Sequence, residues 1–116
     1  MPVDMYAGAY VSDYQAALAW YTKLLGSEPS YVVSDTEAVW ELAEHRSLFI
    51  EEKAEGAGHA VLTVFVDDFD DRVRQISRRG IEPSKQLTYR NGVRKALYHD
   101  PDGNEVGFGG APLEAE

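Results

Sequence analysis

The sequence predicts an α+β fold made of two β-α-β-β-β modules, and two observations support this prediction. First, the chain contains an internal repeat, because the segment around Asp13 returns around Asp68, nearly half the chain length later. Second, each copy holds an apolar strand-like run that stops at its aspartate, and an amphipathic stretch that follows it. The shared order of these features indicates two copies of one unit of about 50 residues.

Each module is expected to begin with a strand and a helix. The runs 7–11 and 60–66 are apolar and have the composition of strands. Helices are predicted over 14–25 and 69–79, because apolar residues recur there at helical spacing. Each module therefore starts with a β-α unit.

The predicted helices carry capping residues at both ends. Asp13 and Asp68 precede the helices, where a carboxylate can accept hydrogen bonds from unpaired backbone N–H groups. Gly26 and Gly80 follow them, where a left-handed residue often ends a helix. These residues set the expected helix boundaries.

Three short strands are expected after each helix. In the first module they lie near 30–33, 37–42 and 46–51, and in the second near 85–89, 93–99 and 105–108. We therefore expect a single domain, with a first module over about 5–52, a Gly-rich linker at 53–58 and a second module over about 59–110.

Composition narrows the possible partners. The chain has 116 residues, with 11 Lys and Arg against 20 Asp and Glu, a net charge of −9 and no cysteine. The lack of cysteine excludes a disulfide scaffold, thiolate chemistry and a Cys-ligated metal, and it favours a cytoplasmic location. The acidic surplus argues against a nucleic-acid or membrane partner, and leaves a neutral or cationic small molecule open.

The two ends of the sequence give weaker expectations. Met1–Met5 contains Asp4 and no basic residue, so we do not expect a secretory signal. No segment approaches the roughly 18 consecutive apolar residues of a membrane span. The acidic tail from Pro112 to Glu116 is expected to fray.

Several short motifs resemble one known family. The most specific motif is Tyr98-His-Asp-Pro-Asp-Gly-Asn104, and the others are Val11-Ser-Asp13, Ala19-Trp-Tyr21, Leu24-Leu-Gly26, Val66-Asp-Asp68 and Arg79-Gly-Ile81. From about Tyr6 to Phe108 the chain resembles the vicinal oxygen chelate superfamily: glyoxalases, bleomycin-resistance proteins, fosfomycin-resistance transferases and extradiol dioxygenases. The resemblance implies paired modules whose curved mixed sheets surround a cleft. It also implies a homodimer that forms or completes the cleft.

The sequence departs from the family's metal-dependent members at the positions of their ligands. The resemblance implies that the family's two His ligands correspond to Tyr6 and Val61 in this chain, and its Glu ligand to Gly107. A further ligand of the family corresponds to a position near Phe49 or Glu51. Only Glu51 offers a carboxylate, whereas a divalent ion needs several converging N or O donors. We therefore expect no cofactor, with a divalent metal as the alternative.

The position of His59 in the sequence allows two interpretations. His59 lies two residues before Val61, so it is either a surface residue at a strand entrance, which we prefer, or a cleft residue on a locally shifted strand. In the second reading, His59 and Glu51 are the candidate catalytic residues. They either hold a metal ion together with Tyr6, or one of them, Glu51 or His59, acts as a general base without a metal.

Strand alternation assigns the faces of the predicted sheets. Small or apolar residues at every second position face the helices, and the residues between them face the cleft. The predicted ligand-binding residues are Tyr6, Tyr10, Trp40, Phe49, Glu51, His59, Thr63, Phe65, Tyr89 and Tyr98, of which Trp40, Tyr89 and Tyr98 have an uncertain face. This aromatic surface with scattered carboxylates suits a flat, cationic organic ligand.

Three hypotheses about function follow. The first is a metal-independent small-molecule-binding protein of the bleomycin-resistance type, which sequesters an aromatic or cationic antibiotic or metabolite in a dimer cleft. The second is a metal-dependent lyase, isomerase or dioxygenase with an altered ligand set. The third is a dimeric interaction module with a vestigial cleft.

Overall fold

A computed structural model describes residues 3–112 and confirms the predicted fold class. It contains two four-stranded sheets and two α-helices. The elements are β1 (Met5–Val11), α1 (Tyr14–Leu25), β2 (Tyr31–Ser34), β3 (Glu37–Ala43), β4 (Arg46–Glu52), β5 (Val61–Val66), α2 (Phe69–Arg78), β6 (Lys85–Thr88), β7 (Arg94–His99) and β8 (Glu105–Gly110). A short 3₁₀ turn, Ala54–Gly56, lies between β4 and β5.

Both sheets have the same topology. The strand order is β1-β4-β3-β2 in the first and β5-β8-β7-β6 in the second. In each sheet the first strand pairs with the last in parallel, and the other pairs are antiparallel. The parallel pair requires a long crossover, which the helix and the two intervening strands supply. The internal repeat of the sequence is thus a repeat of topology.

The two helices begin differently although both follow an aspartate. The Asp13 carboxylate accepts a hydrogen bond from the Ala16 N–H at 3.1 Å, as predicted for a cap. Asp68 makes no such bond, so that prediction is wrong. Its carboxylate instead lies 3.4 Å from the guanidinium of Arg72, one turn along the helix, which competes for the same oxygens.

Both helices end beside the predicted glycines, although α2 stops at Arg78, one residue earlier than predicted. Gly26 has a φ of 83° directly after α1, and its N–H donates to the Thr22 carbonyl. Gly80 has a φ of 98°, and the next residue, Ile81, donates its N–H to the Ile76 carbonyl. A side chain is rarely tolerated at such φ values, which explains glycine at both positions.

One hydrophobic core joins the two modules. Side chains from α1, α2 and the helix-facing sides of both sheets belong to a single cluster. Its largest fully buried members include Trp40, Tyr21, Tyr98 and Phe108, with Leu24, Leu48, Ile50 and Ile76. Because this cluster spans the internal repeat, the modules are expected to unfold together.

The turn before β8 connects the second module to the first through hydrogen bonds. The Asp100 carboxylate is only 5 % exposed and accepts four hydrogen bonds. Two come from the backbone N–H groups of Asp102 and Asn104, one from the Asn104 amide, and one from the hydroxyl of Tyr21 on α1 at 2.8 Å. Burial, together with the charge of Asp100, raises the pKa of Tyr21 well above its usual range.

Asn104 extends this connection to β1 and to the residue before β5. Its amide nitrogen donates to the Tyr10 carbonyl at 2.9 Å, and its amide oxygen accepts the Ala60 N–H at 2.9 Å. Asn104 is fully buried, so these bonds satisfy polar atoms that water does not reach. The family-like turn therefore has a structural role at the module junction.

No helix among residues 3–112 is long and apolar enough to cross a membrane. Residues 113–116, which make up most of the tail that is expected to fray, lie outside the described part of the chain.

Candidate functional site

Each sheet has one face covered by helices and one face without them, which we call its open face. Strand pairing assigns residues to the open faces, because paired residues point to the same side of a sheet. The open face of the first sheet carries Tyr6, Gly8, Tyr10, Tyr31, Glu37, Val39, Glu41, Ser47, Phe49 and Glu51. The open face of the second carries Val61, Thr63, Phe65, Lys85, Leu87, Lys95, Leu97, His99, Glu105, Gly107 and Gly109.

Aromatic side chains cover the middle of the first open face. A Cβ on Gly8 would lie 2.1 Å from the Phe49 ring, so the ring rests directly on this glycine. Val39, in register between Phe49 and Tyr31, is only 3 % exposed although it lies outside the cluster that joins the two modules. The side chains around it on this face therefore form a covering layer.

Two tyrosines meet across this face. The Tyr31 hydroxyl lies 3.5 Å from the Tyr6 hydroxyl, to which it donates a hydrogen bond. That bond raises the pKa of Tyr31. Both rings remain about half exposed, at 47 % and 52 %. Such exposed aromatic surface is available for stacking with a flat ligand.

Carboxylates lie at one end of the same face. Glu37 and Glu51 are directly paired across β3 and β4, with Tyr10 next to Glu51 on β1. Neither carboxylate forms an ion pair with another residue in the 3–112 range. Like charges at paired positions repel each other, and a cation between them would relieve this repulsion.

The second open face has a glycine-lined strand at its centre. Gly107 and Gly109 of β8 have no side chains, and side chains from the neighbouring strands lie over them. A Cβ on Gly107 would lie 2.7 Å from Cε of Lys95, and one on Gly109 would lie 3.2 Å from Cδ1 of Phe65. This face therefore presents a lysine beside an aromatic ring that is 64 % exposed.

Two predicted ligand-binding residues lie in the core instead. Trp40 is 2 % exposed, and its indole N–H donates to the Ser27 carbonyl at 2.9 Å. Tyr98 is 0 % exposed, and burial raises its pKa to about 12. Both alternate with the open-face residues along their strands, so these two predictions require correction.

The remaining candidates are exposed but scattered. Tyr89 is 46 % exposed in the turn after β6. His59 is exposed and precedes β5 by two residues, so it lies at the strand entrance rather than on the strand. Tyr10 packs against Gly56 of the linker, and the Lys53 ammonium lies 5.1 Å from the centre of its ring.

The positions of the family's metal ligands do not fit a metal ion in this chain. The register makes Phe49, paired with Gly8, the equivalent of Gly107, paired with Thr63. Phe49, Val61 and Gly107 have no donor atoms in their side chains. Within the described residues, no three His, Asp or Glu side chains converge in a way that could hold an ion.

A cavity of about 990 Å³ is lined by residues of both sheets, most of them from the helix-facing sides and some, such as Thr63 and Phe65, from the open faces. Its lining includes Leu48 and Trp40 of the first sheet and Leu62 and Val64 of the second. Of the predicted ligand-binding residues, Trp40, Thr63 and Phe65 line it. The cavity is mostly apolar and lacks the paired carboxylates and the tyrosine pair, so we place the candidate site on the open faces.

Sequence reasoning missed Lys95. In β7 the lysine alternates with the buried Ala96 and Tyr98, so it shares the open face with Gly107, but the sequence leaves the face of Tyr98 undecided and gives no such signal. Gly107, which stands at the position of the family's Glu ligand, makes room for the lysine.

Comparisons with known proteins agree with the fold and indicate its relatives. The model of the Glyoxalase/Bleomycin resistance protein/Dioxygenase superfamily matches residues 4–108. A glyoxalase/bleomycin resistance protein from Catenulispora Acidiphila DSM 44928 is 51 % identical, with a TM-score of 0.93 over 96 % of this chain and 100 % of that one. No curated protein sequence matches the chain.

More distant structures share the fold alone. Lactoylglutathione lyase from Agrobacterium tumefaciens is 20 % identical, with a TM-score of 0.78 over 96 % of this chain and 95 % of that one. TnmS3, an antibiotic binding protein from Streptomyces sp. CB03234, is 22 % identical, with a TM-score of 0.71 over 95 % of this chain and 96 % of that one. The same architecture thus occurs in an enzyme and in a binding protein.

Proposed function

Because the chain belongs to the Glyoxalase/Bleomycin resistance protein/Dioxygenase superfamily, we propose that it binds a flat, cationic organic molecule on its open faces without a metal ion. Binding by itself would sequester an antibiotic or metabolite. One relative in fold, TnmS3, is an antibiotic binding protein, which is compatible with such a role.

The observation that carries this proposal is the first open face. Exposed aromatic rings of Tyr6 and Tyr31 lie on the same face as the paired carboxylates Glu37 and Glu51. Rings provide stacking surface, and carboxylates without a counter-ion provide charge complementarity. The positions of the family's metal ligands offer no comparable set of donors in this chain.

We further propose that the protein works as a homodimer whose pairing completes the cleft. The open faces carry several exposed apolar side chains, including Phe65 at 64 % and Val61 at 67 % exposure. Exposed apolar surface of this kind marks interaction sites in soluble proteins. Light scattering coupled to gel filtration would measure the molar mass, and a monomer at micromolar concentration would refute the dimer.

Isothermal titration against a panel of cationic aromatic antibiotics tests the binding function. We expect saturable binding by at least one compound, which the isosteric variant Glu51→Gln weakens by about tenfold. Glu55→Gln, on the exposed linker, is the matched control and should leave the affinity unchanged. Absence of binding across the panel, or equal affinity in Glu51→Gln, would contradict the proposal.

The metal-dependent alternative has its own test. Protein purified without a histidine tag should contain far less than one divalent ion per chain by elemental analysis. Stoichiometric nickel, zinc, iron or manganese would favour an enzyme with an altered ligand set.

A further inference from the structure

The Lys95 side chain lies across the central strand of the second open face. A Cβ placed on Gly107 would lie 2.7 Å from Lys95 Cε and 3.6 Å from its Nζ. Any side chain at position 107 would therefore displace the lysine. The absence of a side chain from β8 at this point lets the ammonium rest over the middle of the sheet.

The ammonium of Lys95 has no counter-ion among residues 3–112. No Asp or Glu carboxylate in that range lies within 4.0 Å of it, although the chain has 20 acidic residues. Its side chain is partly buried, and the surrounding open-face residues include the uncharged Thr63, Phe65 and Leu97. An ammonium without a counter-ion can pair with an oxyanion by charge and by hydrogen bonds.

The neighbours of Lys95 indicate the class of anion. Thr63 is paired with Gly107, and its exposed hydroxyl can donate a second hydrogen bond on the same side of the sheet. Phe65 is paired with Gly109, which is itself paired with Lys95, so its ring lies one strand away from the lysine arm on the other side of β8. The ring offers a stacking surface next to the charge, which suits an oxyanion attached to a flat aromatic group.

We propose that Lys95, Thr63 and Phe65 form a subsite for an aromatic carboxylate or phenolate on the second open face. The subsite rests on the proposed function, since it assumes that the open faces bind ligands. It goes beyond that function by assigning an anionic group to the second module, whereas the paired carboxylates of the first module suit a cationic group. A lysine ammonium is a compact point charge with three donors, which matches a single oxyanion.

Titration with three probes of equal shape tests this subsite. Naphthoate, naphthamide and naphthylmethylammonium share one ring system and differ in charge. We expect the intact protein to bind naphthoate about tenfold more tightly than naphthamide, and the ammonium probe more weakly still on this face. Chemical-shift changes of the Phe65 and Thr63 amide signals would locate the binding on the second open face.

Two variants separate the charge of Lys95 from its shape. Lys95→Met keeps the length of the arm and should remove the preference for naphthoate over naphthamide. Gly107→Ala should produce the same loss, because its Cβ displaces the lysine arm. Lys23→Met, on the exposed end of α1, is the control and should leave the preference unchanged.

The outcomes distinguish this subsite from the proposed function. If naphthoate and naphthamide bind equally, or if Lys95→Met keeps the preference for naphthoate, the anion subsite is refuted, while cationic antibiotics can still bind the first module. If no probe causes shifts on the second open face, the subsite is also refuted. Loss of the proposed function itself would instead appear as absence of binding in the cationic antibiotic panel.

Discussion

Replacing Asp100 by alanine should destabilise the whole domain, because this carboxylate holds the junction between the modules. The change leaves the Tyr21 hydroxyl and the Asn104 backbone N–H without their acceptor, and both are buried. Each buried donor that loses its partner costs about 1–3 kcal/mol. The expected loss in the free energy of unfolding is therefore about 2–6 kcal/mol, a large part of a typical domain stability.

Urea unfolding followed by circular dichroism measures this loss, and a double-mutant cycle identifies its source. Tyr21→Phe should cost less in the Asp100→Ala background than in the intact protein, with a coupling of about 1 kcal/mol or more. Asp102→Ala is the matched control in the same turn. Its carboxylate accepts hydrogen bonds from the exposed Ser12, which water can replace, so it should cost about 1 kcal/mol or less. Equal costs for the two aspartate variants would refute this account of the junction.

Two further predictions concern stability. Because burial and Asp100 raise the pKa of Tyr21, its protonated form contributes stability that is fully present below pH 10 and is lost as pH rises above that value. Between about pH 9 and 12 the melting temperature should fall less steeply for Tyr21→Phe than for the intact protein. Tyr98 adds to the loss in both proteins. Parallel curves of melting temperature against pH would contradict this prediction. Gly8→Ala should cost about 1–3 kcal/mol, since its Cβ enters the space of the Phe49 ring. The cost should largely vanish in a Phe49→Ala background, and a cost that persists there would show that the ring is not responsible.

The architecture could be predicted from the sequence because the repeat, the strand patterns and the helix stops agree with one another. The helix over 14–25 was predicted with the boundaries that α1 has in the structure, since Asp13 and Gly26 mark both ends by local chemistry. Asp68 takes the predicted position before α2, but its carboxylate makes no capping hydrogen bond, because the arginine one turn later competes for it. Such competition between side chains cannot be read from capping preferences.

The site was predicted less completely than the fold. Alternation placed Tyr6 and Phe65 on the exposed side of their strands. It could not place Trp40 and Tyr98 until the register of β3 and β7 was known, because shifting a strand by one residue exchanges its two faces. Lys95 was overlooked since its position depends on a strand pairing and on space left by a glycine, neither of which is a local property.

The central claim is that ligand binding on the open faces requires no metal ion. It is tested most directly with one antibiotic that binds in the panel, titrated into the protein before and after exhaustive dialysis against a chelator. The account predicts the same affinity and stoichiometry in both titrations, and no gain when zinc, nickel, iron or manganese is added back. Binding that disappears after dialysis and returns with one of these ions would contradict it.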